Sequence, residues 1–84
     1  MKGMRYGELP LSEIDKRILQ ALKNNMRAMS TYELAKEGKF SWSSANVHCY
    51  KLKSMGLIEG YTEEICLGKI RNLWKLKSDV SYQV

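Results

Sequence analysis

Ser30-Thr31-Tyr32-Glu33-Leu34-Ala35-Lys36, running on to Lys51-Leu52-Lys53-Ser54-Met55-Gly56-Leu57-Ile58, settles the architecture of this chain. Ser30 and Glu33 form a capping-box pair: the hydroxyl accepts one orphan N–H, and the carboxylate reaches back to another. The spacing predicts a short helix from Thr31 to Glu37, with Leu34 and Ala35 facing inward and Gly38 ending it. Lys39-Phe40 is then a turn with Phe40 as its buried anchor. Ser41 is placed to cap a second helix over about 42–55. Its inward face is Ala45, His48, Cys49 and Leu52, at i, i+3, i+4 and i+7, with Met55 one step further along. Gly56 supplies a left-handed stop, and Leu57-Ile58 begin a strand.

Upstream, Ser12 caps another helix, and Asp15 puts negative charge in its first turn. Ile14, Ile18, Leu19, Ala21 and Leu22 recur at helical spacing as one apolar stripe. Lys16, Arg17, Gln20 and Lys23 fill the other face, and Asn24-Asn25 stop the helix, which runs from about Glu13 to Asn24. Met26 to Met29 is short enough for a small strand. Downstream, Ile58 to Leu76 is strand-like and broken at Gly68, which predicts a β-hairpin turning near Leu67-Gly68-Lys69. Ile65, Ile70, Trp74 and Leu76 are its apolar members. The register stays open, because adjacent Leu73 and Trp74 cannot share a face. The class is therefore α+β, a three-helix core with a C-terminal β-hairpin. Residues 12–77 form the one domain, between an N-terminal tail (1–11) and a C-terminal segment (78–84) that is a loose tail or a docking strand.

The bulk properties fit one small domain. There are 84 residues, 44% hydrophobic, and a formal net charge of +5. Such a length supports one modest core, and the basic balance favours a polyanionic partner. No apolar run follows Met1-Lys2-Gly3-Met4-Arg5, and no stretch approaches the ~20 apolar residues that span a bilayer. An intracellular, cytoplasmic protein is expected, in host cytoplasm if the source is a virus. Cys49 and Cys66 match no zinc spacing. They are free thiols in an ordinary cytosol, or a structural disulfide in a hyperthermophile. His48 and Cys49 are neighbours on a helix and point about 100° apart, which disfavours joint metal ligation. No enzyme constellation and no phosphate-cradling glycine loop is evident. Neither a cofactor, a metal nor a small-molecule ligand is expected.

Three segments carry a resemblance. Ser30-Thr31-Tyr32-Glu33-Leu34-Ala35, Phe40-Ser41-Trp42-Ser43-Ser44-Ala45 and Lys51-Leu52-Lys53-Ser54-Met55-Gly56-Leu57-Ile58 resemble winged helix-turn-helix transcriptional regulators of the broad MarR/ArsR kind, found in bacteria, archaea and archaeal viruses. The likeness covers roughly residues 12–77. It implies double-stranded DNA as partner, a homodimer, helix 42–55 in the major groove, and the 58–77 hairpin as a wing on the minor groove or phosphates. The family often places arginines in the recognition helix, and this chain has none there. A bidentate arginine–guanine contact from that helix is therefore absent.

The candidate contact residues follow from that placement. Asn46 has the donor and acceptor for adenine, Ser43 and Ser44 can donate to phosphates or bases, and Val47 can touch a thymine methyl. Tyr50 and Lys51 would hold the backbone. Trp42 is unusual at the exposed start of a helix without a partner; alternatively it packs on the preceding helix. Lys36 and Lys39 flank the end of that helix, within reach of phosphates. Lys69 and Arg71 flank the hairpin turn, with Lys75 and Lys77 on the returning strand, and Glu63 and Glu64 are expected to point away from this basic face. A competing reading makes Trp42, Val47 and Tyr50 a protein-docking patch. A third makes Cys49 and Cys66 a redox switch.

Overall fold

Each of the three helices among the described residues begins at a serine. In the computed structural model, which describes residues 11–77, α1 (Glu13–Asn25) follows Ser12, α2 (Thr31–Gly38) follows Ser30, and α3 (Trp42–Ser54) follows Ser41. Ser12 with Asp15 and Ser30 with Glu33 close complete capping boxes, while Ser41 Oγ accepts the Ser44 N–H alone. The first two caps satisfy two orphan donors each, which fixes where the helices start. The predicted tails, residues 1–11 and 78–84, lie outside the described residues except for Leu11, which packs against the core.

Two helix ends differ from expectation. α1 continues through Asn25, and Met26 takes the left-handed position. α2 includes Gly38, and Lys39 takes the left-handed position with φ 62°. The role of Gly38 is spatial instead: a Cβ there would lie 2.1 Å from the Phe40 ring. Phe40 folds back over that glycine and packs half-buried against the core, rather than as a fully buried anchor. α3 ends as expected, with Gly56 at φ 80°.

The sheet has three antiparallel strands in the order β1 (Met29–Ser30), β3 (Lys69–Leu76), β2 (Ile58–Cys66). The central strand β3 pairs Met29 with Trp74 on one side and Gly60 with Trp74 on the other. This register answers the Leu73–Trp74 question: both are buried, one on each face. Trp74 is the largest fully buried side chain. Its Nε1–H donates to Thr31 Oγ1 at 2.8 Å, joining the sheet to the start of α2. Gly60 is required opposite it, because a Cβ there would lie 2.4 Å from the indole. The core is Ile18, Leu19, Ala21, Leu22, Met29, Leu34, Cys49, Leu52, Leu57, Ile58 and Trp74.

Beyond Gly60 the hairpin leaves the body, and every residue from Tyr61 to Arg71 is exposed. Of the hairpin's apolar members, Ile65 and Ile70 are therefore exposed, while Trp74 is buried. The ribbon is too long for the helices to cover its outer half. A bulge between Glu64 and Cys66 leaves Ile65 unpaired, and such bulges sharpen the local twist. Leu67 and Gly68 form the two-residue turn, with φ 39° and 82°. Two positive φ values are the pattern of a type I′ hairpin turn, which favours Asn, Asp or Gly at its first position. A leucine there costs about 1–2 kcal/mol in backbone strain.

Candidate nucleic-acid interface

α3 is gripped along two flanks. On one, His48 Nδ1 lies 2.7 Å from Asp15 Oδ1, and Lys51 Nζ lies 2.6 Å from Asp15 Oδ2. Asp15 is fully buried on α1 and also accepts the Ser12 N–H at 2.9 Å. Burial alone would push its carboxyl up. The hydrogen bonds from Lys51, the Ser12 amide and His48 outweigh that and hold it below the ordinary 3.8. On the other flank, the Tyr50 ring meets Trp74 edge-on, with centroids 5.1 Å apart. Cys49 lies between them in the core, and its thiol is pushed up to about 12 by burial and by the neighbouring Asp15 charge.

What remains outside is narrower than the sequence suggests. Ser43, Val47 and Tyr50 are exposed, as is Trp42 at 52%. Lys51 does not point outward; its ammonium is drawn to the buried Asp15 carboxylate, because a buried charge demands a partner. Ser44 is half-buried and bound into the cap, its Oγ 3.1 Å from Ser41 Oγ. Asn46 is also half-buried, and its Oδ1 is enclosed without a hydrogen-bond partner. Reading adenine would require that amide to rotate outward. Lys53, not singled out from the sequence, is exposed on α3. Its position among the outward residues of the helical period was the available signal.

On the wing, Glu63 does not point away from the basic residues, whereas Glu64, paired with Ile70, lies on the face opposite Arg71. Glu63 sits directly across from Arg71 and binds it, Oε1 to Nε at 3.0 Å. Cross-strand neighbours share a face, so the register puts the two charges together. Glu64 accepts the Gly68 N–H at 3.1 Å and so braces the turn. Glu33 of α2, besides capping, meets Arg27 at 3.4 Å. Its carboxyl is held down by the Ser30 amide, against its partial burial, and by Arg27 and Arg71. Lys36, Lys39, Lys53 and Lys69 make no ion pair among the described residues.

These elements border one open groove of about 980 Å³. Lys36 and Tyr32 of α2 line one side, Trp42 stands at the α3 start, and Ile65, Ile70, Arg71 and Asn72 of the wing line the other. Trp42 thus looks into the groove beside α2 rather than being buried under it. Cys49 and Cys66 are free, one in the core and the other exposed on the wing. They form no bridge. Among the described residues no group of three or more His, Cys, Asp or Glu is arranged to hold a metal ion. None of the described helices is long and apolar enough to cross a membrane.

A helix-turn-helix whose second helix is exposed, followed by a projecting antiparallel hairpin, defines a winged helix. The family model for winged helix-turn-helix DNA-binding domains matches residues 11–59, and the chain belongs to that family. No curated protein sequence matches the chain significantly. Among solved structures, the chain is similar to a possible transcriptional regulator from Methanosarcina mazei, with TM-score 0.74 and 20% identity, covering 82% of this chain and 58% of that one. It is also similar to Stf76 from the Sulfolobus islandicus plasmid-virus pSSVx, with TM-score 0.67, 21% identity, and coverage of 79% and 82%. A third is the zinc-responsive MarR family member ZitR from Lactococcus lactis, with TM-score 0.69, 20% identity, and coverage of 90% and 50%. A further similar structure is a mutant of ZitR in complex with DNA. At these identities the likeness is one of fold, and the chain spans little more than half the length of the first of these structures.

Proposed function

We propose that this chain is a sequence-selective, double-stranded DNA-binding transcriptional regulator acting inside the cell, with α3 in the major groove and the wing on the adjacent minor groove or phosphates. The observation that carries the reading is the groove shared by α2, the start of α3 and the wing. Lys36, Arg27 and Arg71 line it together with Glu33 and Glu37, and Lys53 on α3 and Lys69 on the wing, which make no ion pair among the described residues, extend the basic surface beyond it. Base contacts come from Ser43, Val47 and, after rotation of its amide, Asn46. Trp42 and Tyr50 cover sugar and backbone. Lys36, Lys39, Lys53 and Lys69 neutralise phosphates, and Ser44 and Lys51 act from behind the surface by fixing the helix. Arg71 joins the phosphate set once Glu63 releases it.

A single module of this size reads few base pairs, so the working unit is a homodimer on a two-fold site. A protein-docking role is the second reading. It rests on the exposed side chains of Trp42 and Val47, although Tyr50 is partly committed to Trp74. Fluorescence anisotropy with mixed-sequence duplex at several salt concentrations separates the two. Four phosphate contacts give a log–log slope on the order of −4. Lys36→Ala and Lys69→Ala should each flatten it by about 0.9. Absence of binding at low salt refutes the DNA reading and leaves the docking one.

A further inference from the structure

The wing tip carries a residue that neither the turn nor the core asks for. Leu67 is 100% exposed and occupies the first, left-handed position of the two-residue turn at φ 39°. Ile65 and Ile70, just behind it, are exposed as well. A turn chosen only for folding would hold Asn, Asp or Gly here. A wing meant only for phosphates would be basic at its tip. We infer that Leu67 is an apolar wedge that enters the DNA minor groove and partly unstacks a base step, bending the duplex around the wing.

The geometry suits that occupant. A two-stranded ribbon, side chains included, is wider than the minor groove of about 6 Å, so what can enter is the fully exposed tip side chain, Leu67. The acidic residue nearest the tip is engaged, Glu64 accepting the Gly68 N–H, and Glu63 lies further back, across from Arg71. Lys69, beside the turn, makes no ion pair among the described residues and is available to a flanking phosphate. Glu64 also stiffens the turn, so that the leucine is held forward. Apolar side chains that open a base step recover the unstacking cost through the extra surface a bent duplex brings into contact. Pyrimidine–purine steps open most readily and would be preferred.

This inference rests on the DNA-binding reading, and one experiment separates the two. A duplex rich in TA steps, with 2-aminopurine beside them and a donor–acceptor pair at its ends, is titrated with the wild-type chain, Leu67→Met and Leu67→Asn. Asparagine suits the left-handed turn position, so Leu67→Asn should fold at least as well as wild type. The expected result is a rise in 2-aminopurine fluorescence and a shortened end-to-end distance with wild type and Leu67→Met. With Leu67→Asn both signals are lost, affinity falls about tenfold, and the salt slope is unchanged. Wild-type binding without unstacking or bending overturns the wedge and leaves the DNA reading intact, as does a Leu67→Asn variant equal to wild type. If Leu67→Asn instead dissociates a wild-type oligomer in sedimentation, the tip is a contact between copies and the wedge is wrong. No binding by any variant removes both readings.

Discussion

Replacing Asp15 by asparagine tests how α3 is held. The change is nearly isosteric and keeps an acceptor for the Ser12 N–H, so the α1 cap largely survives. What it removes is the charge that holds His48 at 2.7 Å and Lys51 at 2.6 Å. Hydrogen bonds to charged groups contribute about 1.5–3 kcal/mol each, and breaking a buried pair from one side costs about 3–5 kcal/mol. The Lys51 side chain is 38% exposed, so its ammonium can turn to water and part of that penalty is relieved. A loss of about 2–4 kcal/mol follows, a large share of the ~5–15 kcal/mol available to a domain. The sign of the pH effect is fixed by the lowered carboxyl. Its contribution is complete above the ordinary value of 3.8 and is lost as pH falls through the lower folded-state value. Urea unfolding of both proteins across acid and neutral pH measures this. Asp15→Asn should lower the midpoint at neutral pH and flatten the acid limb. A cost under about 0.5 kcal/mol, with an unchanged acid limb, would refute the clamp.

Other outcomes follow from single contacts. Glu63→Gln should release Arg71 from its 3.0 Å partner, strengthen binding to every DNA sequence, and steepen the salt slope by about 0.9; weaker or unchanged binding would show that Arg71 does not reach phosphate. Gly60→Ala drives a methyl to within 2.4 Å of the Trp74 ring; it should cost about 1–3 kcal/mol and alter the tryptophan signal in near-ultraviolet circular dichroism. With intact protein, iodoacetamide should label exposed Cys66 and spare buried Cys49, whose thiol is pushed up to about 12; equal labelling of both would contradict the packing of α3. Asn46→Ala should relax preference at one base pair by about 1–3 kcal/mol, read from selection of binding sites; a uniform loss on all sequences would count against base reading.

The parts of this fold that were legible in the sequence are those set by local chemistry. Ser12, Ser30 and Ser41 announce helix starts within one turn of themselves, and the apolar stripe of α1 and the Gly68 turn can be read the same way. What the sequence concealed depends on residues far apart along the chain. Asp15 reads as a first-turn charge; only the packing of α1 on α3 makes it the partner of residues 33 and 36 positions away. Lys51 sits at the edge of the helical period, and the nearest buried carboxylate decided which way it turned. Glu63 and Arg71 share a face because of the hairpin register, which adjacent Leu73 and Trp74 left undetermined until Gly60 was set against the indole.

The same long-range contacts bear on how the candidate site works. α3 carries no arginine, so on the proposed DNA-binding reading its contribution to selectivity depends on being held in one orientation. Asp15 fixes the flank toward α1 through His48 and Lys51, and Trp74 fixes the flank toward the sheet through Tyr50. Trp74 is in turn hydrogen-bonded to Thr31, at the start of α2. Tyr50 thus stands one contact from the core, and Lys51 is tied to the buried Asp15 carboxylate. Substitutions at Lys51 should therefore act on DNA through the angle of α3. Lys51→Met combined with Asp15→Leu, which removes both charges together, should be more stable than Lys51→Met alone, which leaves the buried Asp15 carboxylate without its lysine. If the pair proves additive in unfolding, with no coupling between the two positions, α3 is held by its apolar face alone and the Asp15 cluster is incidental to its orientation.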